Sequence, residues 1–288
     1  MPPQFKFAFS TNAFSRYSLK KAIETIAACG YSGVEILADK PHLYPDTFSP
    51  RMAEQIRTLL ERTGLGVSNI NANCTFGYWK DAPPEPFFEP SLISPLAKHR
   101  RERIRMISNT LLYAHAIGAA NISITSGKAL PTMPPAMAAR QLRESLKPVL
   151  EMAQKLDVHI GIESEPGLFI EWATELADLI QTMKSPMLGA NLDIGHSVVI
   201  GEPIGKTLQL LQGRIWNCHI EDLLGRKHYH LIPGHGDLDW EKLKRQLAAI
   251  GYPHFLTVEL YTYPDSPAKA ARQSIHFLAP RFGNPLFR

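Results

Sequence analysis

Cysteine is scarce in this 288-residue chain. Cys29, Cys74 and Cys218 are odd in number, lie far apart and lack the paired spacing of a metal-binding motif. A disulfide framework is therefore not expected, and buried reduced thiols are. Long apolar runs are missing too, since no stretch approaches the ~18–20 residues a membrane span needs. The opening Met1-Pro-Pro-Gln-Phe-Lys6 has neither the charged start nor the apolar stretch of a secretory signal, so no membrane partner and a cytoplasmic location are expected. A formal charge of +4 is too mild for a phosphate-tracking surface, and no nucleic-acid partner is expected. Lys98–Arg105 is a local basic cluster that fits a solvated helix face or a site for an anion.

What the chain does have is 44% hydrophobic and 20% charged residues, the balance of a globular protein. It also has a recurring unit of amphipathic helix, turn residue and short β-rich run. The unit occurs at residues 27–37, 60–70, 116–124, 153–163, 183–192, 211–219 and 249–259. Most of the junctions carry Gly where a helix would end, with a short connection to the next strand. With the opening run Phe5–Ser10, which no helix precedes, this makes eight strands. Strands that alternate with helices pair in parallel through right-handed crossovers. Eight units of about 36 residues predict an α/β fold, a single (β/α)8 TIM-barrel domain over residues 1–288. Ser18 and Ser49 are placed to cap the first two helices, the second with Pro50 in its first turn. A third helix is expected near residues 95–117.

Two connections are long, residues 74–94 and 221–238, and both follow strands on the side where barrel active sites form. The first, rich in aromatics and prolines, is read as a substrate lid or a rigid cover.

Polar residues recur at equivalent strand ends. Glu163 ends the fifth strand, Asp193 the sixth, His219 the seventh and Glu259 the eighth, each about one strand-plus-helix unit from the last. A carboxylate among apolar residues is costly unless paired, and three that converge repel one another. One divalent metal ion held by Glu163, Asp193, His219 and Glu259 resolves both difficulties. One imidazole with three carboxylates suits Mn2+, Mg2+, Co2+ or Zn2+. Asn69, Asn71 and Asn73 alternate along the third strand and are read as an interior hydrogen-bond ladder or as substrate contacts. Glu35 is read as a substrate contact or a structural polar group. The Gly234-His-Gly-Asp237 loop lacks the frame of a dinucleotide fingerprint.

Five segments together carry a resemblance: Ile162–Gly167, Asn191–His196, Cys218–Asp222, Pro233–Trp240 and Val258-Glu259. Their combination resembles the xylose-isomerase-like TIM-barrel superfamily, and within it the sugar and sugar-phosphate isomerases and epimerases, over nearly the whole chain. The resemblance implies that Glu163 and Glu259, besides binding metal, form a catalytic acid/base pair. It implies a small-molecule sugar or polyol substrate in contact with His196, and it leaves a homo-oligomer open. His230 stands where many relatives have Arg, and is taken as substrate-binding. Glu165 is taken with it, as substrate contact, support for a ligand, or the ligand itself if the strand register is shifted. The implied reaction is isomerisation or epimerisation by proton transfer through an enediolate that the metal stabilises. A dehydratase of an inosose or keto acid uses the same framework. An endonuclease IV-like phosphodiesterase needs extra histidines where the third and fourth strands here carry Asn, Ser and Thr.

Overall fold

A computed structural model describes residues 5–73, 75–81 and 88–283. Eight parallel strands close into a barrel: β1 Lys6–Ser10, β2 Gly33–Leu37, β3 Gly66–Asn71, β4 Asn121–Thr125, β5 His159–Glu163, β6 Leu188–Asp193, β7 Ile215–Ile220 and, eighth in the ring, β10 Phe255–Val258. β10 pairs with both β7 and β1, which completes the circle. The expected (β/α)8 architecture is present. No described helix is long and apolar enough to cross a membrane.

The helices form where the sequence caps them. α1, Leu19–Ala28, starts at Ser18, whose hydroxyl accepts from Lys21 N; α2, Pro50–Thr63, starts at Ser49, whose hydroxyl accepts from Met52 N, with Pro50 in its first turn. α3, Ala97–Ile117, carries the basic cluster, and here one expectation needs correction. Arg103 is buried rather than solvated, and its guanidinium donates to the carbonyls of Ala72 and Asn73 beyond β3. α4, Pro135–Leu156, and α5, Ala173–Met183, follow β4 and β5. Two short helices, α6 Ile194–Ile200 and α7 Ile204–Leu210, separate β6 from β7; α8, Trp240–Ala249, and α9, Pro267–Phe282, flank β10.

Residues 221–238 are more ordered than a plain loop. They hold an antiparallel hairpin, β8 Asp222–Leu224 and β9 Lys227–Leu231, turned by Gly225 and Arg226 at φ of 58° and 59°. Asp222 fixes the return of the chain by accepting from Gly234 N, Leu238 N and the Trp240 indole. In the other long connection, Phe76 N and Gly77 N donate to Asp39, while Thr75 and Trp79 donate to the Glu89 carbonyl. Residues 82–87 of that candidate lid, and Cys74, lie outside the described residues; Cys29 and Cys218 are buried free thiols.

Strand alternation sends Ile160, Ile162, Leu188, Ala190 and Leu192 into the apolar layer under the helices. At the N-terminal end of the barrel, Phe255 meets the bare faces of Gly33 and Gly66. A Cβ on Gly33 would stand 2.5 Å from the Phe255 ring. Gly33→Val is expected to destabilise the fold by about 1–3 kcal/mol through overpacking, read from urea denaturation. An unchanged midpoint would show that the ring has room to move.

Candidate metal centre

At the opposite end of the strands the interior is polar. Glu163, the last residue of β5, and Asp193, the last of β6, are both buried. His219 stands one residue before the end of β7, and Glu259 follows β10 directly. One ligand atom from each of these four lies within 4.8 Å of the others. His219 Nδ1 is the hub, 3.3 Å from Glu163 Oε1, 3.6 Å from Glu259 Oε2 and 3.9 Å from Asp193 Oδ2.

The surroundings aim these atoms inward. Asp193 is the N-cap of α6, with Oδ1 accepting from His196 N at 2.9 Å. Its other oxygen, Oδ2, is buried without a hydrogen-bond partner among the described residues. Such an atom is costly unless a donor or a cation meets it. Glu259 Oε1 accepts from the amides of Asn12 and Asn71 at 2.9 and 3.0 Å, which leaves Oε2 for the cluster. Glu163 Oε2 accepts from Asn191 Nδ2 at 2.7 Å and from Asn73. His219 Nε2 donates to Glu35 Oε2 at 2.6 Å, so Nδ1 is the nitrogen left to bind. Asn69 and Asn217 in turn donate to Glu35. The ladder reading of the β3 asparagines thus fits, and its purpose is to hold carboxylates.

The charges are mutually dependent. Burial raises the Glu259 carboxyl well above the usual range; His219 opposes this, and Glu163, Glu35 and Asp193 reinforce it. Burial works against a charged His219, yet Glu259, Glu35 and Glu163 together hold its imidazole well above its ordinary value. Burial also disfavours charge on Asp193, but His196, His230 and His219 hold its carboxyl low. Three carboxylates around one imidazole nitrogen form a donor set that could hold a divalent cation, whose charge such crowding calls for.

The three remaining expected residues form a wall beside the cluster. His196, in the first turn of α6, donates from Nδ1 to the Ser164 carbonyl at 3.0 Å, and its Nε2 lies 3.7 Å from Asp193 Oδ2 and 3.8 Å from Glu165 Oε1. Burial disfavours its charge, but Asp193, Glu165, Glu163 and Glu259 raise its pKa to about 9. Glu165 is pushed up to about 7 by burial, against the pull of His196 and with Glu163 and Asp193 adding to the rise. Glu163 groups with Asp193, His219 and Glu259, while Glu165 groups with Glu163 and His196. His230, on β9, is buried at φ 44° and donates from Nδ1 to the Glu259 carbonyl at 3.0 Å. Burial lowers its pKa to about 3.

Asn191, Asn217, His228 and Glu221 are parts of this site that the sequence reading left out. Asn191 and Asn217 each stand two residues before a cluster member on the same strand, so strand parity was the available signal. His228 shares parity with His230 in the same way, but only once the hairpin is known.

A (β/α)8 barrel with a buried carboxylate-and-imidazole cluster at the C-terminal ends of its strands defines the class. The model of the xylose isomerase-like TIM barrel family matches residues 23–281, and the chain belongs to that family. It is 25% identical over 275 residues to a fructoselysine 3-epimerase of Escherichia coli O157:H7, covering 94% of this chain and 96% of that one. Among solved structures it is similar to a 3-keto-D-glucoside 4-epimerase from E. coli, at TM-score 0.79 and 17% identity, covering 96% of this chain and all of that one. It is also similar to D-psicose 3-epimerase from Clostridium cellulolyticum H10, solved with D-tagatose, at TM-score 0.78 and 16% identity, covering 96% and 99%. An IolI protein with a bound zinc atom superposes at TM-score 0.76 and 18% identity, covering 97% and 100%.

Proposed function

We propose that this protein is a divalent-metal-dependent epimerase or isomerase of a keto sugar or keto polyol, with the ion held by Glu163, Asp193, His219 and Glu259. The reading rests on the meeting of these four side chains around His219 Nδ1, with Asp193 Oδ2 lacking a hydrogen-bond partner among the described residues. The ion supplies a Lewis acid for the negative charge that develops when a carbon next to a carbonyl loses its proton.

The residues do the rest. Glu163 and Glu259 flank the cluster from β5 and β10, three places apart in the ring, and so address a substrate from two sides. Glu259 takes the proton, since burial keeps its carboxylate basic, and Glu163 returns one at the other face or the neighbouring carbon. The amides of Asn12 and Asn71, and of Asn73 and Asn191, hold the two carboxylates in place. His196, His230 and Glu165 contact the hydroxyls of the substrate. The epimerase relative supports a ketose-type substrate. The Asn, Ser and Thr side chains of β3 and β4 give less support to a phosphodiesterase, whose extra ions need histidine there.

The test is incubation of the metal-loaded protein in D2O with a panel of ketoses and inososes. Deuterium enters the carbon next to the carbonyl if the reading is right, and a dehydratase instead forms an absorbing enone or diketone. No exchange and no product across the panel would count against both.

Glu35 sets the imidazole tautomer. Glu35→Gln is expected to weaken metal affinity by about 10–100-fold with the fold retained, as measured calorimetrically with Mn2+. Unchanged affinity would show that His219 needs no partner at Nε2.

A further inference from the structure

Where the chain leaves the end of β3, the short run Asn71-Ala72-Asn73 reaches both members of the proposed acid/base pair. Asn71 Nδ2 donates to Glu259 Oε1 at 3.0 Å, and Asn73 Nδ2 donates to Glu163 Oε2. The two asparagines are also tied to each other, since Asn71 Oδ1 accepts from Asn73 N at 3.1 Å. A shift of this run therefore moves supports of both carboxylates at once.

The barrel ladder holds the run only in part. Asn71 O accepts from Ala38 N at 2.7 Å and Ala72 N donates to Ser123 O at 2.9 Å, but the carbonyls of Ala72 and Asn73 lie past the end of β3. They are met by Arg103 of α3, one guanidinium nitrogen of which is 2.5 Å from Ala72 O and 3.4 Å from Asn73 O. Arg103 opens the buried stripe that α3 continues with Met106, Ile107, Thr110 and Leu111, where packing alone calls for an uncharged residue. A buried cation is costly unless it is paired and hydrogen-bonded. Asp39, just beyond β2, supplies the opposite charge. Burial raises its carboxyl; hydrogen bonds from the amides of Lys40, Gly77 and Phe76, and the charge of Arg103, oppose the rise. Asp39 in turn accepts from Phe76 N and Gly77 N at 2.8 Å, so the chain is fixed again a few residues further on.

We infer that Arg103 is a positioning residue for the reaction: acting through Ala72 and Asn73, it sets where Glu163 and Glu259 stand relative to one another without touching the substrate. Each carboxylate keeps a second support, Asn191 for Glu163 at 2.7 Å and Asn12 for Glu259 at 2.9 Å. Loss of Arg103 therefore spares the metal ligands and disturbs the alignment of the two carboxylates on a reacting carbon. The inference rests on the epimerase reading.

The experiment compares wild type, Arg103→Met and Arg103→Lys in D2O, on the substrate found by the ketose panel, for kcat, KM, Mn2+ affinity and thermal melt. A displacement of about 1 Å in a reacting group costs about 10^2-fold, and that fall in kcat is expected for Arg103→Met with KM and Mn2+ affinity unchanged. Arg103→Lys keeps the charge and can donate to one carbonyl, so its kcat falls less. Isotope distribution is the sharper readout. The substrate proton goes from carbon to Glu259; a deuteron from Glu163 then gives product, whereas a deuteron returned by Glu259 after exchange with solvent gives labelled substrate. With Glu163 out of line, the ratio of labelled substrate to product rises in Arg103→Met. A variant that has only lost stability keeps the wild-type ratio, and that result, or an unchanged kcat, would overturn the inference. If Arg103→Met does not fold, Arg103→Lys carries the same test with smaller changes in the same directions. No exchange by the wild type would instead overturn the epimerase reading. A crystal structure of Arg103→Lys would still test the anchor, which falls if Asn73 keeps its bond to Glu163.

Discussion

Glu259→Gln is expected to lower turnover by about 10^3–10^4-fold, at the upper end of what one general base contributes, with the fold intact. The amide matches the carboxylate in shape. Its oxygen can face the two donors that hold Oε1, the amides of Asn12 and Asn71, so the end of β10 keeps its hydrogen bonds. The amide nitrogen then takes the place of Oε2, 3.6 Å from His219 Nδ1. It has no basic lone pair for a carbon-bound proton and none for a cation. The measurement is kcat on the substrate found by the ketose panel, beside a thermal melt. Activity within a few fold of wild type would remove Glu259 from the acid/base pair.

Asp193→Asn is expected to cost more in metal affinity than loss of an outer partner does, hence at least about 100-fold. The two oxygens of Asp193 have different tasks. Oδ1 caps α6 through His196 N at 2.9 Å, and an asparagine oxygen can do the same, so the helix and the position of His196 survive. Oδ2 is the buried atom without a hydrogen-bond partner among the described residues, and the substitution puts an NH2 donor there. A donor facing a cation repels it. The cluster also loses the carboxyl group that its histidines hold most firmly in the charged form. Isothermal titration with Mn2+ or Co2+ reads the change directly, and undiminished affinity would mean that the ion does not touch Asp193.

The barrel was legible in the sequence because each junction repeats one physical message, a helix stop followed by a short β-rich run. The four cluster residues were legible because the polar residue falls at the same place after each of four runs. Strand ends were off by one at His219 and Glu259, where the ladder stops for reasons of pairing rather than composition. The β8 and β9 hairpin was hidden by its turn. Gly225-Arg226 takes the doubly positive φ of a tight hairpin turn, but Arg is not a residue that signals it. The Arg226 guanidinium secures the turn by donating to the carbonyls of Val198 and Val199 at the end of α6, a contact between distant segments. The asparagines were hidden differently. Asn on alternate strand positions reads the same whether it faces water or a closed interior, and only closure of the ring brings Asn71 to Glu259 or Asn73 to Glu163. Arg103 was lost in its own neighbourhood, one charge among several on a helix whose other basic residues are more exposed.

Glu163, Asp193, His219 and Glu259 are proposed to hold one divalent ion. Crystals grown with Mn2+ and measured for anomalous scattering test it most directly. A strong peak is expected at about 2.0–2.3 Å from one oxygen of each carboxylate and from His219 Nδ1. A fully occupied Mn2+ peak elsewhere in the barrel, with these four side chains left as they stand here, would contradict it.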